Sequence, residues 1–353
     1  MLELIQQPQE INYSQSIPDF EFTTENDSVI FKLDLGGQTV VEEEYDAPPI
    51  GRSMKIKVHD LIDNFMEFSM PIYSQDITVH ENGIKDFYFT LDDGGSAIMA
   101  NFRVIKGFLR KQPFDLPSYL RDFWLNLVPK HSEVYFHQPL YLTALPPGPV
   151  TVTVKALMAD GTEKTIEIGQ LEGNKLQSVN LNPGRMIYLL GGKYTYFEAY
   201  TVNSNGEMMN GLKRFYLKEN YGFHSDVFFY QNRLGGWDTL ILNGQKINIH
   251  SNTPASAVFD EMEFEYQNDL KFEIQKSSGF ITTEEHYRQY IDFLISRNKY
   301  FLFEGSLVPI VTSENKVEHS RGNLNSYTFV FRPSDTRLVH PEIGAAPIHL
   351  IIT

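Results

Sequence analysis

Residues Val150–Ile168 read VTVTVKALMADGTEKTIEI. Val150, Val152, Val154 and Ala156 share one side of an extended chain, and Thr151, Thr153 and Lys155 share the other. Asp160-Gly161 supplies a pair tolerant of positive φ, after which Ile166 and Ile168 return. A helix would scatter these side chains around its circumference, so the stretch predicts a β-hairpin with one buried face. The same period of two recurs in Met262, Phe264 and Tyr266, which alternate with Glu261, Glu263 and Glu265. There Asn268-Asp269 is expected to turn the chain and Leu270, Phe272 and Ile274 to return as a second strand.

Working outward, Val29–Leu35 and Thr39–Tyr45 flank Gly36-Gly37, and Phe87–Leu91 and Ala97–Ile105 flank Asp92-Asp93-Gly94-Gly95. His59–Glu67 reads as a short helical crossover between them. Short strands at this spacing are what a sandwich of two sheets requires. Thr282–Asn298 carries Tyr287, Tyr290, Ile291, Leu294 and Ile295 at helical spacing, and Thr282 with Glu285 fits a capping box. Ser118–Val128 shows a weaker helical pattern, with Leu120, Phe123, Trp124 and Leu127 on one side and prolines at both ends. The expected chain is mainly β. A sandwich spans 1–112, a linker 113–129 and a second sandwich 130–218. A β-rich α+β domain with the one long helix, about 282–298, completes it over 219–353.

Composition excludes several classes. The chain of 353 residues has 30 Lys and Arg against 45 Asp and Glu, a net charge of −15 that disfavours nucleic acid or an anionic membrane as partner. Cysteine is absent, which removes disulfides, thiolate metal sites and cysteine nucleophiles. The amino terminus MLELIQQPQE has neither the basic nor the apolar region of a secretory leader. The apolar runs fall short of the ~20 residues a spanning helix needs, so no membrane insertion is expected. Pro347–Thr353 (PIHLIIT) reads as a final strand or docking tail.

Chemistry-bearing motifs are scarce. The ten histidines form no HExxH and no i, i+4 pair on a convincing helix, so neither a metal nor any other cofactor is expected. The glycine pairs at 36–37, 94–95, 191–192 and 235–236 fit no P-loop or dinucleotide fingerprint and are expected to be hairpin turns. Asp92-Asp93 could attract calcium, although a hairpin needs such residues anyway. Glu42-Glu43-Glu44 reads as a solvated strand face, while a glycosidase pair would need two acids facing across a cleft. Aromatic residues are the one excess. Tyr194, Tyr196, Phe197 and Tyr200 cluster, as do Phe228, Phe229, Tyr230 and Trp237, and core, protein interface and glycan platform all remain open for them.

Phe228–Gly244 reads FFYQNRLGGWDTLILNG, a strand, a turn over Asn232-Arg233-Leu234-Gly235-Gly236 and a second strand opened by Trp237-Asp238-Thr239. This resembles a signature of multi-domain β-sandwich proteins encoded by phages and prophages of Bacteroidetes-type bacteria. Phe31–Tyr45, Lys55–Phe65, Tyr119–Pro129 and Glu284–Phe331 extend the resemblance over most of the chain. It implies a tail, baseplate-like or other virion component that binds copies of itself and neighbouring virion proteins. Such a protein is assembled in the bacterial cytoplasm, and the resemblance brings no catalytic residue. From the residues themselves, Gly235-Gly236 permits a tight turn, Trp237 can fold over it and Asp238 can accept its amides. Arg233 can pair with a neighbouring acid or an adjacent subunit, so Asn232, Arg233, Gly235, Gly236, Trp237 and Asp238 form either a structural turn or a contact between subunits. A non-enzymatic structural protein is the leading expectation. The rivals are a glycan-binding protein of the bacterial surface and a hydrolase with a carboxylate pair in a deep cleft.

Overall fold

A computed structural model of the chain describes residues 2–48, 53–108, 115–218, 224–259, 262–313, 317 and 325–334. The first unit comprises β1 (Glu3–Gln6), β2 (Ile11–Tyr13), β3 (Phe20–Thr23), β4 (Ser28–Leu35), β5 (Gln38–Asp46), β6 (Ser53–Ile56), α1 (His59–Asn64), β7 (Ile77–Val79), β8 (Ile84–Asp92) and β9 (Ala97–Ile105). Sheet β2-β9-β8-β4-β5 faces sheet β1-β3-β6. Between them lies a core of Phe20, Phe22, Phe31, Phe87, Phe89 and Phe102, all inward by strand alternation. Gly36 and Gly37 both take positive φ in the two-residue turn that joins β4 to β5. Glu42, Glu43 and Glu44 lie exposed on β5 with local partners, Lys32 at 2.9 Å among them.

After α2 (Leu116–Asp122) come β10 (His131–Tyr135), β11 (Tyr141–Ala144), β12 (Val150–Met158), β13 (Glu163–Leu171), β14 (Gln177–Asn180), α3 (Pro183–Leu190), β15 (Tyr194–Val202) and β16 (Lys213–Lys218). Sheet β10-β16-β15-β12-β13 packs on a smaller sheet, β11-β14-β7. Strand β7 arrives from the first unit, so one sheet of the second sandwich is shared between the two. The hairpin of Val150–Ile168 forms as its alternation dictates, with Val152 and Val154 fully buried.

The third unit holds β17 (Asp226–Gln231), β18 (Trp237–Leu242), β19 (Lys246–Phe259), β20 (Met262–Ile281), α4 (Glu284–Ile295), β21 (Lys299–Phe303), β22 (Ser306–Thr312) and β23 (Asn325–Pro333). They build one sheet in the order β18-β17-β21-β22-β23-β20-β19. Helix α4 covers it through Tyr290 and Phe293, which pack on Phe228 and Phe329. The fold is therefore mainly β, with two sandwiches followed by an α+β unit.

Four local expectations are corrected. Asn268-Asp269 does not turn the chain: β20 runs straight through, Asn268 opposite Pro254 and Asp269 opposite Thr253. The partner of this strand is 246–259, whose Asn, Thr, Pro and Ser content hid a strand from the alternation test. Gly191 is not a hairpin turn; at φ 71° it ends α3, a helix that Pro183 opens. The N-cap of α4 is Thr283 rather than Thr282, its hydroxyl accepting the His286 amide at 3.2 Å. Helix α2 stops at Asp122, leaving Phe123 extended and 52% exposed. The chain must straighten there because the Leu125 amide bonds the Thr143 carbonyl of β11 at 2.7 Å. Pro347–Thr353, His319, His340 and His349 lie outside the described residues.

Candidate functional site

The turn between β17 and β18 sits where the three units meet. Asn232 Oδ1 accepts the amides of Leu234 and Gly236, both at 2.9 Å, so the side chain templates the turn from inside. Gly235 takes φ 81°, and a Cβ there would stand 2.8 Å from the Lys106 carbonyl oxygen. A Cβ on Gly236 would stand 2.1 Å from the Leu125 carbonyl oxygen. Two connecting segments therefore press on the two glycines, one leaving the first sandwich and one entering the second. Phe108 seals the first contact, its amide donating to the Arg233 carbonyl at 2.8 Å.

Asp238 is the anchor. Its Oδ1 accepts from Asn126 Nδ2, and its Oδ2 accepts from the Leu127 amide and Asn232 Nδ2, all at 2.8 Å. Asn126 also donates to the carbonyl of Trp237 at 2.8 Å, and its own oxygen accepts the Thr143 amide at 2.6 Å. Asn126, Asn232 and Asp238 are all buried. Burial pushes the Asp238 carboxyl above its ordinary range, against the opposing pull of its three donors.

Around this polar knot lies an apolar collar drawn from every unit, including Tyr13, Phe68, Leu120, Leu125, Tyr141 and Phe229. Trp237 stacks on Phe229 with ring centres 4.9 Å apart, and its indole donates to the Ser69 carbonyl at 3.0 Å. Phe228, Phe229, Tyr230 and Trp237 are at most 1% exposed, and Tyr194 and Phe197 are buried as well. The cluster at 228–237 therefore offers no exposed face on which a sugar ring stacks. Tyr196 and Tyr200 lie half-buried on the opposite face of β15 from Tyr194 and Phe197, Tyr196 beside Tyr216 at 5.7 Å.

Beside the turn opens a cleft of about 470 Å³, lined by Phe68, Lys106, Arg233, Asp292, Arg297 and Tyr300 among others. Arg233 Nε lies 2.6 Å from Asp292 Oδ1, and the Arg233 amide donates to Oδ2 at 3.2 Å. Burial, with the nearby Asp238 charge, pushes the Asp292 carboxyl up to about 6 despite the guanidinium. A hydrolytic pair needs both acids on the cleft. Glu67 and Asp292 both line this cleft, but Asp292 is held by Arg233 and 1% exposed, while Asp238 is enclosed behind Asn126 and Asn232. Asp93 is likewise committed, its Oδ1 taking the amides of Gly95 and Ser96 at 3.0 and 2.7 Å.

The pH dependence of Asp292 has a definite sign. A carboxyl whose folded pKa is raised binds its proton more tightly in the native state, so its contribution falls as pH climbs from about 4 to about 6. The expected decline attributable to this group is up to about 3 kcal/mol. Asp292→Asn should remove it, so urea titrations of both proteins should give a difference that grows over that window and is flat above it.

Sequence reading located the turn but not its partners. Asn126 lies more than a hundred residues away, and its one clue is a lone amide within the apolar run Trp124-Leu125-Asn126-Leu127-Val128. Asp292 stands between Ile291 and Phe293 on the apolar side of α4, an acid where a core residue is expected. Arg233 finds its acid inside its own chain.

No family model matches the chain, and no curated protein matches it in sequence. Similar solved structures include the YadV chaperone, 15% identical over 60% of this chain and 98% of that one, with a TM-score of 0.19. The calcium-binding domain CBD12 of CALX1.1 is 9% identical over 62% of this chain and 100% of its own, with a TM-score of 0.21. Titin domains I67–I69 are 9% identical over 78% of this chain and 92% of theirs, at 0.19. At these scores the likeness bears on neither site nor function.

Proposed function

We propose that the chain is a non-enzymatic structural protein, a component of a phage or prophage tail or of another part of the virion, acting through protein–protein contacts. The observation that supports this reading is the junction. Asn126, Asn232, Asp238 and Trp237 are all committed to locking three β units into one body. Such a body transmits force and holds its outer surfaces in fixed relation, which an assembly subunit needs and a flexible string of domains does not provide. The charge of −15 keeps free copies apart until directed contacts form. The burial of Phe228, Phe229, Tyr230 and Trp237 takes from the glycan-binding alternative one of the two platforms on which it relied. Among the described residues no helix is long and apolar enough to cross a membrane.

The test is to follow the mass of the purified chain over a concentration series by sedimentation, to image it by electron microscopy and to read the genes beside its own. Discrete rings or layers, with virion genes adjacent, are the expected result. A strict monomer at high concentration with no such neighbours overturns the proposal, as does turnover of a substrate abolished by changing Asp292.

A further inference from the structure

Strand β7 ties the first unit to the second through a ladder of three residue pairs, Val79 with Gln177, Thr78 with Ser178 and Ile77 with Val179. His80 follows β7 directly and is 1% exposed, its amide donating to the Leu176 carbonyl at 2.8 Å. Phe68 stacks on its ring with centres 4.2 Å apart. Nδ1 faces Ser69, and Nε2 lies 2.8 Å from the Ser178 hydroxyl of β14. That hydroxyl is 2.7 Å from the Thr143 hydroxyl of β11, and the Thr143 amide donates to Asn126 of the junction. One polar chain therefore runs from the first unit through the second to the connecting segment.

Such a chain has a direction. A neutral imidazole donates from one nitrogen and accepts at the other. With Nδ1 donating to the Ser69 backbone, Nε2 accepts from Ser178, and Ser178 accepts from Thr143. A second proton on the ring reverses these links. Nε2 then donates to Ser178, Ser178 turns its proton to Thr143, and Thr143, wholly buried, needs a new acceptor. The imidazolium also lacks a counter-charge. Glu67, Asp76, Glu81 and Lys175, on the segments packed around it, are all exposed. Lys106, whose amide bonds the Gly83 carbonyl, is paired with Asp63, and Asp238 is engaged by Asn126 and Asn232. Among the described residues no carboxylate is bonded to the ring. Burial accordingly holds the His80 pKa down at about 4, the bond with the Ser69 backbone partly opposing.

We propose that His80 is an acid-operated latch, in which proton uptake by the ring opens the β7–β14 ladder and loosens the first sandwich from the second. Each sandwich keeps its own core, because the clusters around Phe20 and around Val152 are separate. In the open form the ring meets water and titrates near its ordinary 6.5. A histidine depressed in the closed form supports closure above 6.5, and that support is lost as pH falls toward the closed-form value. From these two values the opening equilibrium shifts about 20-fold between pH 7 and pH 5 and about 100-fold by pH 4. The latch belongs to the single chain and does not depend on what the chain assembles with.

Hydrogen exchange on the full chain at pH 7, 5 and 4, corrected for the intrinsic rates, measures the opening. Amides in 77–80 and 177–180 should lose protection about 20-fold by pH 5, while those of Val152–Ala156 inside the second sandwich do not. His80→Gln keeps a donor and an acceptor but takes up no proton, so its ladder should stay equally protected over this range. Asp292 titrates in the opposite sense and is present in both proteins, so the difference between them belongs to His80. Should His80→Gln fail to fold, proton NMR of the wild type decides. A ring that stays neutral in the closed form to below pH 5 while the ladder opens supports the latch, and one that titrates near 6.5 with protection unchanged overturns it. Wild-type protection that is constant with pH, an equal response in wild type and variant, or protection lost alike in ladder and core strands also overturns it.

Discussion

Asp238→Ala is expected to cost about 3–4 kcal/mol and to uncouple the three units. The Leu127 amide loses its acceptor, and buried Asn126 and Asn232 each lose a charge-assisted partner, at about 1–3 kcal/mol for a donor left unsatisfied. Part of that loss is offset, because the carboxylate itself is penalised by burial, as its raised pKa records. The larger consequence is cooperativity. Asn126 belongs to the connecting segment and Asp238 to β18, so their bond makes the melting of one unit the melting of its neighbour. The two tryptophans, Trp124 and Trp237, are both buried near this junction and report on it by fluorescence. Urea unfolding of the variant should show the tryptophan signal moving ahead of the loss of β circular dichroism, where the wild type shows one transition. Coincident transitions with a loss under 1 kcal/mol would mean that the apolar collar alone joins the units.

What the sequence discloses about this fold follows the range of each interaction. Val150–Ile168 and the turn at Gly36-Gly37 are legible because alternation and positive-φ turns are settled by neighbours a few residues apart. The long ribbon of β19 and β20 is illegible for the same reason. Asn268-Asp269 looks like a turn until a partner strand 14 residues long is present to hold it extended. In helix α3 only the terminal signals, Pro183 and Gly191, were available, and eight residues carry too little periodicity to outweigh a glycine pair. The junction is legible by halves. Asn232, Gly235, Gly236, Trp237 and Asp238 declare a tight turn, but the reason that turn needs glycines is the backbone of Lys106 and Leu125, more than a hundred residues upstream. A local pattern can show that two glycines are required. Only the fold shows what they make room for.

Asp226→Ala should destabilise the root of the ribbon by about 3–5 kcal/mol, and its pH dependence separates the cause from simple loss of contacts. Lys246 and Lys276 stand directly opposite each other on β19 and β20, and Asp226 bridges both, at 2.9 and 2.7 Å. Lys276 is fully buried and also donates to the carbonyls of His224 and Gly244, each at 2.7 Å. Removing the acid leaves a buried ammonium without a counter-charge, facing a like charge across the strand pair. Burial already holds the Lys276 pKa below its ordinary value with Asp226 in place, and loss of the carboxylate lowers it further. A lysine depressed in the folded state is penalised while charged, so the variant should regain stability as pH rises from 7 toward 10, through the folded pKa and below the unfolded one. Asp226→Ala combined with Lys276→Met carries no buried ammonium and should lie between wild type and the single variant at pH 7. It should also lack the rise contributed by Lys276. A single variant whose deficit stays constant from pH 7 to 10 would show that Asp226 acts through packing and hydrogen bonds rather than by neutralising Lys276.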